Sequence, residues 1–358
     1  MRKLDIYIIK KFLGTFFYAI SLIVVIIIVF DISEKVDDFL EKKAPLYDII
    51  FIYYLNFIPY FVNLFSALFC FIAVIFFTSK MASNTEIVAI LSSGVSFKRM
   101  LVPYFISALF LALFSFFLTN FVIPPANAKR LAFEDRYLRN AKTHHERNIH
   151  MQISQGTYVY VESFNTETNT GYPFSLEKIN NAGLYYKLTS DYIRYDSTTG
   201  KWRIQNYFIR TMSGLNENFF KGTSLDTVLN MKPADFSKDM DNVETMNYSQ
   251  LRAFIEKEKL KGSDNVAFYE VEKQKRIAFP FATLVLTLIG VSLSSRKARG
   301  GIGFHLGAGL TISFAFILFM QISTTFGVYG NLPPYLAVWI PNIIFGVLGL
   351  FLLRMAPK

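Results

Sequence analysis

Histidine, cysteine and serine are the residue types from which nucleophiles and metal sites are built, and here their spacing builds neither. The histidines are His144, His145, His150 and His305. Neighbours on a strand point to opposite faces, so His144 and His145 do not converge on one ion, and the His144-His145-Glu146 segment with His150 reads as solvated. His305 lies in an apolar run close to a basic turn and reads as a polar packing residue. Cys70 is the single cysteine, which leaves no intrachain disulfide and no cysteine-based metal site. No Gly-x-x-x-x-Gly-Lys-Ser/Thr phosphate loop and no Gly-x-Ser-x-Gly nucleophile elbow occurs. Neither a catalytic nor a metal constellation is predicted, and the chain is expected to bind no cofactor of its own.

Three other groups of residues carry a different chemistry. The first is the stretch from Ser83 to Gly94, followed by Lys98 and Arg99. Ser83-x-x-Glu86 has capping-box spacing, and Gly94 is a natural helix stop. Ile87, Ile90 and Leu91 then form one apolar stripe on a helix of about 12 residues, too short to stand alone. Such a helix either lies on lipid headgroups or enters a groove on a partner protein. The second group is Lys35, Lys42 and Lys43, set among Glu34, Asp37, Asp38 and Glu41. These lysines either pair with the neighbouring acids or meet a phosphorylated headgroup. The third is a pair of apolar faces: Phe16, Phe17 and Ile20, and Phe314, Ile317 and Leu318. Each set lies at helical spacing and serves either ordinary packing or the wall of a lipid cavity.

The elements that must position these residues follow from composition. Of the 358 residues 52% are hydrophobic and only 18% charged, and the apolar residues come in unbroken blocks, as in a membrane protein. Charge-free runs cover Phe12–Phe30, Ile49–Ser79, Met100–Ala128, Ile277–Ser295 and Gly300–Leu353, the last long enough for two spans with a break over Gly327–Pro334. The first run is too long and lacks the cleavage site of a signal peptide, so a retained helix is predicted. The second is read as one long helix loosened near Pro59, and the third as a span over Tyr104–Ile123 ended by Pro124-Pro125.

Between the two groups of spans the chain changes character. Lys129–Arg276 holds 22 Lys and Arg and 19 Asp and Glu. Alternating segments at Thr157–Phe164, Tyr172–Ile179, Leu184–Thr189, Tyr192–Asp196, Trp202–Met212 and Asn218–Leu229 are separated by turn-forming pieces, which predicts a β-sandwich or jelly roll. Asn140–Ile153 adds a further strand or two. Ala126–Ala141 looks helical, as does Ser249–Lys261 with Ser249 as N-cap and Gly262 past its end. The predicted fold is therefore an α-helical polytopic membrane protein with six transmembrane helices in a three-plus-three layout and an inserted all-β, jelly-roll-like domain. Its parts are 1–125 (with the short helix at about 83–94), 126–265 and 266–358.

Charge sets the orientation. With the N-terminus in the cytoplasm, four inward segments, including the basic turn Arg296-Lys297-Ala298-Arg299, hold twelve Lys and Arg; the short outer loops hold only Lys35, Lys42 and Lys43. Both termini are then cytoplasmic and the β-domain periplasmic. The formal charge of +10 is chiefly this topology signal, which argues against a nucleic-acid partner. The lack of mid-membrane carboxylates argues against ion-driven transport.

Several motifs carry a family resemblance. Leu4-Asp5-x-Tyr7-Ile8 opens the first span, and Val36-Asp37 precedes Lys42-Lys43. Glu86-Ile87-Val88-x-x-x-Ser92-Ser93-Gly94-x-Ser96-x-x-Arg99-Met100 follows the second span, and Pro124-Pro125-Ala126-Asn127 leaves the third. Together they resemble the LptF/LptG family of lipopolysaccharide-export permeases, LptG more than LptF. The resemblance implies a non-catalytic subunit in the bacterial inner membrane that pairs with a second LptF/LptG-type subunit. It also implies an LptB-like ATPase dimer, which uses the ATP and Mg, and an LptC-like protein. Such a complex extracts lipopolysaccharide from the membrane and passes it to a periplasmic bridge. Under this resemblance Glu86, Ile87, Ile90, Leu91 and Arg99 belong to an ATPase-coupling helix, and spans one and five form gates for the lipid. The alternative is another ABC-type permease that transmits ATPase work to a periplasmic domain, for lipoprotein release or mechanotransmission; such permeases have fewer spans. A membrane-anchored enzyme is a third reading, which the missing catalytic cluster disfavours.

Overall fold

A computed structural model describes residues 3–138, 146–181, 183–214, 216–236, 241–263, 265–295 and 301–355. The chain divides into two compact units. A helical unit comprises Met1–Leu138, Glu244–Leu251 and Ala267–Lys358, and a strand unit comprises Arg139–Val243 and Arg252–Val266.

In chain order the helices before the strands are α1 (Lys3–Glu41), α2 (Leu55–Ser83), α3 (Glu86–Ser92), α4 (Phe97–Phe117) and α5 (Ile123–Tyr137). Strands β1 (Glu146–Ser154), β2 (Thr157–Asn165), β3 (Thr170–Asn180), β4 (Gly183–Asp196), β5 (Lys201–Ser213) and β6 (Asn216–Thr227) follow. The chain closes with α6 (Asp241–Thr245), α7 (Tyr248–Lys261), α8 (Val266–Ser294), α9 (Gly301–Tyr329) and α10 (Pro334–Met355). Among the described residues six helical segments are long and apolar enough to cross a membrane, three on each side of the strands. They contain the charge-free runs, and the break between the last two falls at Gly330–Pro333.

Two helices differ from expectation at their prolines. The loosening in the second span is a π-helical turn at Asp48–Tyr54, before Pro59, which sits inside α2. Just after that turn the Asn56 amide donates back to the Ile52 carbonyl at 2.8 Å, so a side chain serves a backbone group where the bonding pattern changes. Pro124-Pro125 does not end the third span. A π-helical turn at Leu118–Val122 carries the helix straight into α5, whose first turn accommodates both prolines. Thr119 Oγ1 and Asn120 Nδ2 donate to the Ser115 and Phe116 carbonyls, each at 2.9 Å, across that change of pitch.

The helical unit is built around α2. One core joins Ile8, Phe12, Phe16 and Ile20 of α1 to Cys70, Val74 and Phe77 of α2 and Tyr104, Ala108 and Leu111 of α4. A second joins Phe71 and Ile75 of α2 to Leu286 and Ile289 of α8, Phe316 and Met320 of α9, and Phe345 of α10. The close approach of α8 to α2 needs glycine: a Cβ at Gly290 would stand 2.9 Å from Val74 Cγ1 and 3.1 Å from the Phe71 ring. Such small-residue contacts are how helices pack when lipid is as apolar as their side chains. His305 is buried in α9. The segment returning from the strands is fixed to this unit by Glu244, which accepts from Asn127 Nδ2 at 3.2 Å and pairs with Arg130 at 3.7 Å. Its Met246 carbonyl accepts from Arg276 at 2.7 Å. A capping box forms here too: Asn247 Oδ1 accepts from the Gln250 N–H and Gln250 Oε1 from the Asn247 N–H, each at 2.9 Å. The N-cap of α7 is thus Asn247, and Ser249 lies inside the helix.

The strand unit is all β in its sheet, as expected, but its six strands form a single antiparallel meander in the order β1-β2-β3-β4-β5-β6, without the Greek-key connections of a jelly roll. The expected pieces Leu184–Thr189 and Tyr192–Asp196 are one strand, β4, whose register against β5 runs unbroken past Asp191. Opposite it Asn206 takes a left-handed conformation (φ 52°), and its amide donates to Asp191 at 2.8 Å. One face of the sheet buries Val161, Phe164, Phe174, Ile193, Trp202 and Ile204, and the segment after β6 closes over it with Met231 and Phe236. Phe236 stacks on Phe164 with ring centroids 4.4 Å apart, and Trp202 Nε1 donates to the Met231 carbonyl at 3.0 Å.

That closing segment is fastened by charge. Asp235 accepts from Lys261 at 2.9 Å, from Lys257 at 3.0 Å and from the Lys232 N–H at 2.8 Å. Lys261 also donates to Glu258 at 2.7 Å. Burial opposes the charged form of Asp235, but Lys261 above all, with the Lys232 N–H and Lys257, outweighs it and holds the carboxyl below its ordinary value. A depressed carboxyl contributes stability above its unfolded pKa, and that stability is lost as pH falls through the folded value. The strand unit should therefore loosen on acidification below about pH 4. Asp235→Asn should remove this pH dependence and cost about 2 kcal/mol near neutrality, because Lys257 and Lys261 lose a shared partner. Amide hydrogen exchange of β5 across a pH series reads both effects, and equal exchange in the two proteins at pH 7 would show that the closing segment does not rely on Asp235.

Candidate functional site

Seven residues of α3, too few for a stable helix in water, are held by one buried anchor and by ties to α1. Ile87 is 2% exposed and enters the core formed by Met81, Ala82, Phe97, Met100 and Leu101, with Ile90 and Leu91 packed partly against it. Burying that isoleucine is worth roughly 2 kcal/mol relative to water. Ile87 thus faces inward, onto this chain's own helices, while Ile90 and Leu91 are half-buried beside it. The outward side carries Val88, 60% exposed, with Ala89 and Ser92.

The capping box expected at Ser83-x-x-Glu86 is absent, for a geometric reason. α2 continues through Ser83, whose hydroxyl donates to the Lys80 carbonyl at 2.9 Å. Thr85 then turns the chain in a left-handed conformation (φ 62°) and caps nothing with its side chain. An N-cap needs extended backbone, which this turn does not supply. Gly94 does end the element, at φ 85°, and Ser96 Oγ caps α4 by accepting from the Arg99 N–H at 3.3 Å.

Glu86 is free to bond elsewhere, and its Oε2 accepts from Tyr7 Oη at 2.8 Å. The Tyr7 ring also lies 5.7 Å beneath the Lys11 ammonium. Arg99 turns to the same helix: its guanidinium grips both Asp5 carboxylate oxygens, at 2.8 and 2.7 Å. Asp5 is 4% exposed, so this is a forked ion pair around a buried carboxylate. Arg99, placed by the resemblance with the coupling helix, lies on α4 and pairs within the chain while its side chain stays 36% exposed. The arrangement brings together the first turn of α1, α3 and the first turn of α4, all within the helical unit. It can present a carboxylate and a small apolar patch to a partner, and it holds no arrangement for bond-breaking chemistry. Asp5, Tyr7 and Val88 are the residues that sequence reasoning missed in this role. The usable signal was an acid at the start of a long apolar helix, which demands a cation.

At the other end of α1, Lys35 is not displayed. Its ammonium lies 2.6 Å from Asp31 Oδ1 and bonds to Tyr53 Oη; Tyr54 Oη donates to Asp31 Oδ2 at 3.1 Å. Phe39, Phe57 and Phe133 pack around this cluster. Lys43 is exposed and ends α1 in a left-handed conformation (φ 52°), and the Lys42 N–H continues the helical bonding to the Asp38 carbonyl at 3.0 Å. Of the apolar candidates, Phe16 and Ile20 are buried in the core of their own unit, which removes them from any cavity wall. Phe17 (42% exposed), Phe314 (58%), Ile317 (45%) and Leu318 (61%) are on open faces of α1 and α9. Among the described residues no group of three or more His, Cys, Asp and Glu side chains is placed to hold a metal. His150 stacks on Tyr160 at 4.5 Å, while His144, His145 and the basic turn Arg296–Arg299 lie outside the described residues.

The ion pair makes a direct prediction. Asp5→Arg and Arg99→Asp should each lower the thermal midpoint of the detergent-purified protein by several degrees, because each leaves like charges facing. The double swap should recover most of the loss. A double variant as unstable as the singles would mean that the pair carries no net stability.

Comparison with known proteins agrees with the geometry. The model of the family "Lipopolysaccharide export system permease LptF/LptG" matches residues 6–355, which takes in Tyr7, Glu86, Arg99, the strand unit and all six apolar helices. Comparison with curated individual proteins returns no match. With nearly its whole length matched and six helices able to span a bilayer, the chain belongs to the LptF/LptG family of lipopolysaccharide export permeases and is a multi-pass inner-membrane protein.

Proposed function

We propose that this chain is the membrane subunit through which an ATPase drives lipopolysaccharide out of the inner membrane. The observation that carries the proposal is α3, a short helix between two spans that offers Glu86 and Val88 outward. The chain has no phosphate loop of its own, so the energy comes from a separate LptB-like ATPase dimer. Lys/Arg asymmetry supports a cytoplasmic α3, cytoplasmic termini and a periplasmic strand unit. The revised docking surface is Glu86 with Val88, Ala89 and Ser92; Ile87 anchors it from beneath, and Tyr7 ties it to α1.

A second LptF/LptG-type subunit completes a lipid cavity, with α1 and α9 at its gates. These are the two least buried of the six spans, and their apolar faces have no covering within this chain. ATP-driven movement at α3 narrows the cavity and forces the lipid out of the membrane to an LptC-like protein and the periplasmic bridge. Lys43 is the lysine best placed for a lipid phosphate; Lys35 must first leave Asp31.

Two experiments test the proposal. Glu86→Lys should abolish co-purification of the ATPase and lipid export while the protein still accumulates in the membrane; normal capture and export would refute the docking role. Photo-crosslinkers at Phe17, Phe314, Ile317 and Leu318 should trap lipopolysaccharide, whereas crosslinkers at Phe16 and Ile20 should not. Labelling confined to α4 or α10 would refute the gate assignment.

A further inference from the structure

The contacts around α3 differ in what they can transmit. Ile87 seats the helix in an apolar pocket, and such a seat resists withdrawal but permits rolling, because dispersion contacts have no direction. The Asp5–Arg99 pair is forked and directional, yet it joins α1 to α4 and bypasses α3. The Tyr7–Glu86 hydrogen bond is the directional contact between α1 and α3. Asp5 and Tyr7 are two residues apart, so on a helix they project about 200° apart and the first turn of α1 is gripped on two sides.

We propose that Tyr7 is a positioning residue that hands the displacement of α3 to α1; the proposal rests on the reading of α3 as the ATPase-docking element. A carboxylate has two oxygens, so Glu86 can keep Tyr7 on Oε2 while Oε1 receives a cationic group of the partner. Glu86 then joins the partner to α1 through one side chain. Asp5–Arg99 is the stronger tie and acts as the pivot, holding the start of α1 against α4 while α3 rolls about Ile87. α1 contains no proline and spans 39 residues, about 58 Å of continuous helix, so a tilt imposed at its first turn reaches Phe17 and the open apolar face beyond it.

The test removes one oxygen atom. Tyr7 is 37% exposed, and Tyr7→Phe keeps the ring and its packing. In the complex reconstituted with its ATPase and second permease subunit in phospholipid vesicles, the Tyr7→Phe chain should still capture the ATPase. Lipopolysaccharide released per ATP hydrolysed should fall about threefold to tenfold, the range spanned by one ordinary solvent-exposed hydrogen bond. A spin label at Tyr18→Cys, on the exposed side of α1, should change mobility with ATP in the parent complex and stop responding in Tyr7→Phe. Unchanged release per ATP together with an unchanged label response overturns the proposal, and so does loss of ATPase capture by Tyr7→Phe, which would make Tyr7 a docking residue. Glu86→Lys separates the underlying reading: if that chain still captures the ATPase, α3 is not the docking element, whatever Tyr7→Phe does.

Discussion

A carboxylate buried at the head of an apolar helix has to be paired, and that constraint organises the end of the helical unit where the chemistry lies. Asp5 is almost fully enclosed, and leaving it unpaired would cost about twice what burying Ile87 contributes. Only a guanidinium offers two parallel donors to both of its oxygens. Arg99 supplies them from the first turn of α4, and so the starts of α1 and α4 are fixed together. α3 and its turns must then fit between helices whose positions are already set. The left-handed Thr85 on one side and Gly94 on the other are the backbone consequences of that fit.

The same rule explains the far end of α1. Asp31 and Lys35 satisfy each other one helical turn apart, and the phenols of Tyr53 and Tyr54 complete the carboxylate's shell. A lysine held in this way is a poor first receptor for a phosphate, because the incoming anion must displace a carboxylate in a partly desolvated site. An exposed lysine such as Lys43 has no such barrier. The two ends of α1 are thus ion-paired, while the apolar stretch between them has one face in the core and the other open. That combination is what an element needs if it is to move as a rod against a lipid: rigid along its length, fixed at its ends and uncommitted on one side.

Much of this is legible in the sequence, and the division is physical. The six spans can be counted because a bilayer demands long uninterrupted apolar runs, which the core of a water-soluble domain seldom requires. The strands are visible because turn-forming residues punctuate alternating segments, although β4 reads locally as two pieces. Strand order is a long-range property, and local alternation does not encode it. Around α3 the pattern is correct but its burial is not encoded: Ile87 enters the core while Ile90 and Leu91 stay half-buried, and a stripe does not announce whether its cover is a partner or its own chain. Ser83-x-x-Glu86 has capping-box spacing because the motif is short enough to arise where one helix runs out and a turn begins. The Asp5–Arg99 and Tyr7–Glu86 contacts join residues 94 and 79 positions apart, and no local periodicity points to them.

The inward seat of Ile87 bears on how such a subunit would be driven. A coupling helix that inserts an apolar face into its partner would move with that partner by hydrophobic adhesion. Here Ile87 is committed inward and Ile90 and Leu91 are half-buried, so under the proposed docking role a partner would meet chiefly Val88 and a carboxylate already engaged on one oxygen. Binding through such a surface is orientational more than adhesive: it fixes direction and register at modest affinity. Under the proposed coupling role, a modest affinity suits an interface that changes geometry in each ATP cycle. The inward anchor, the forked pivot and the phenolic bond would then divide the work of seating the helix, limiting its movement and passing that movement on.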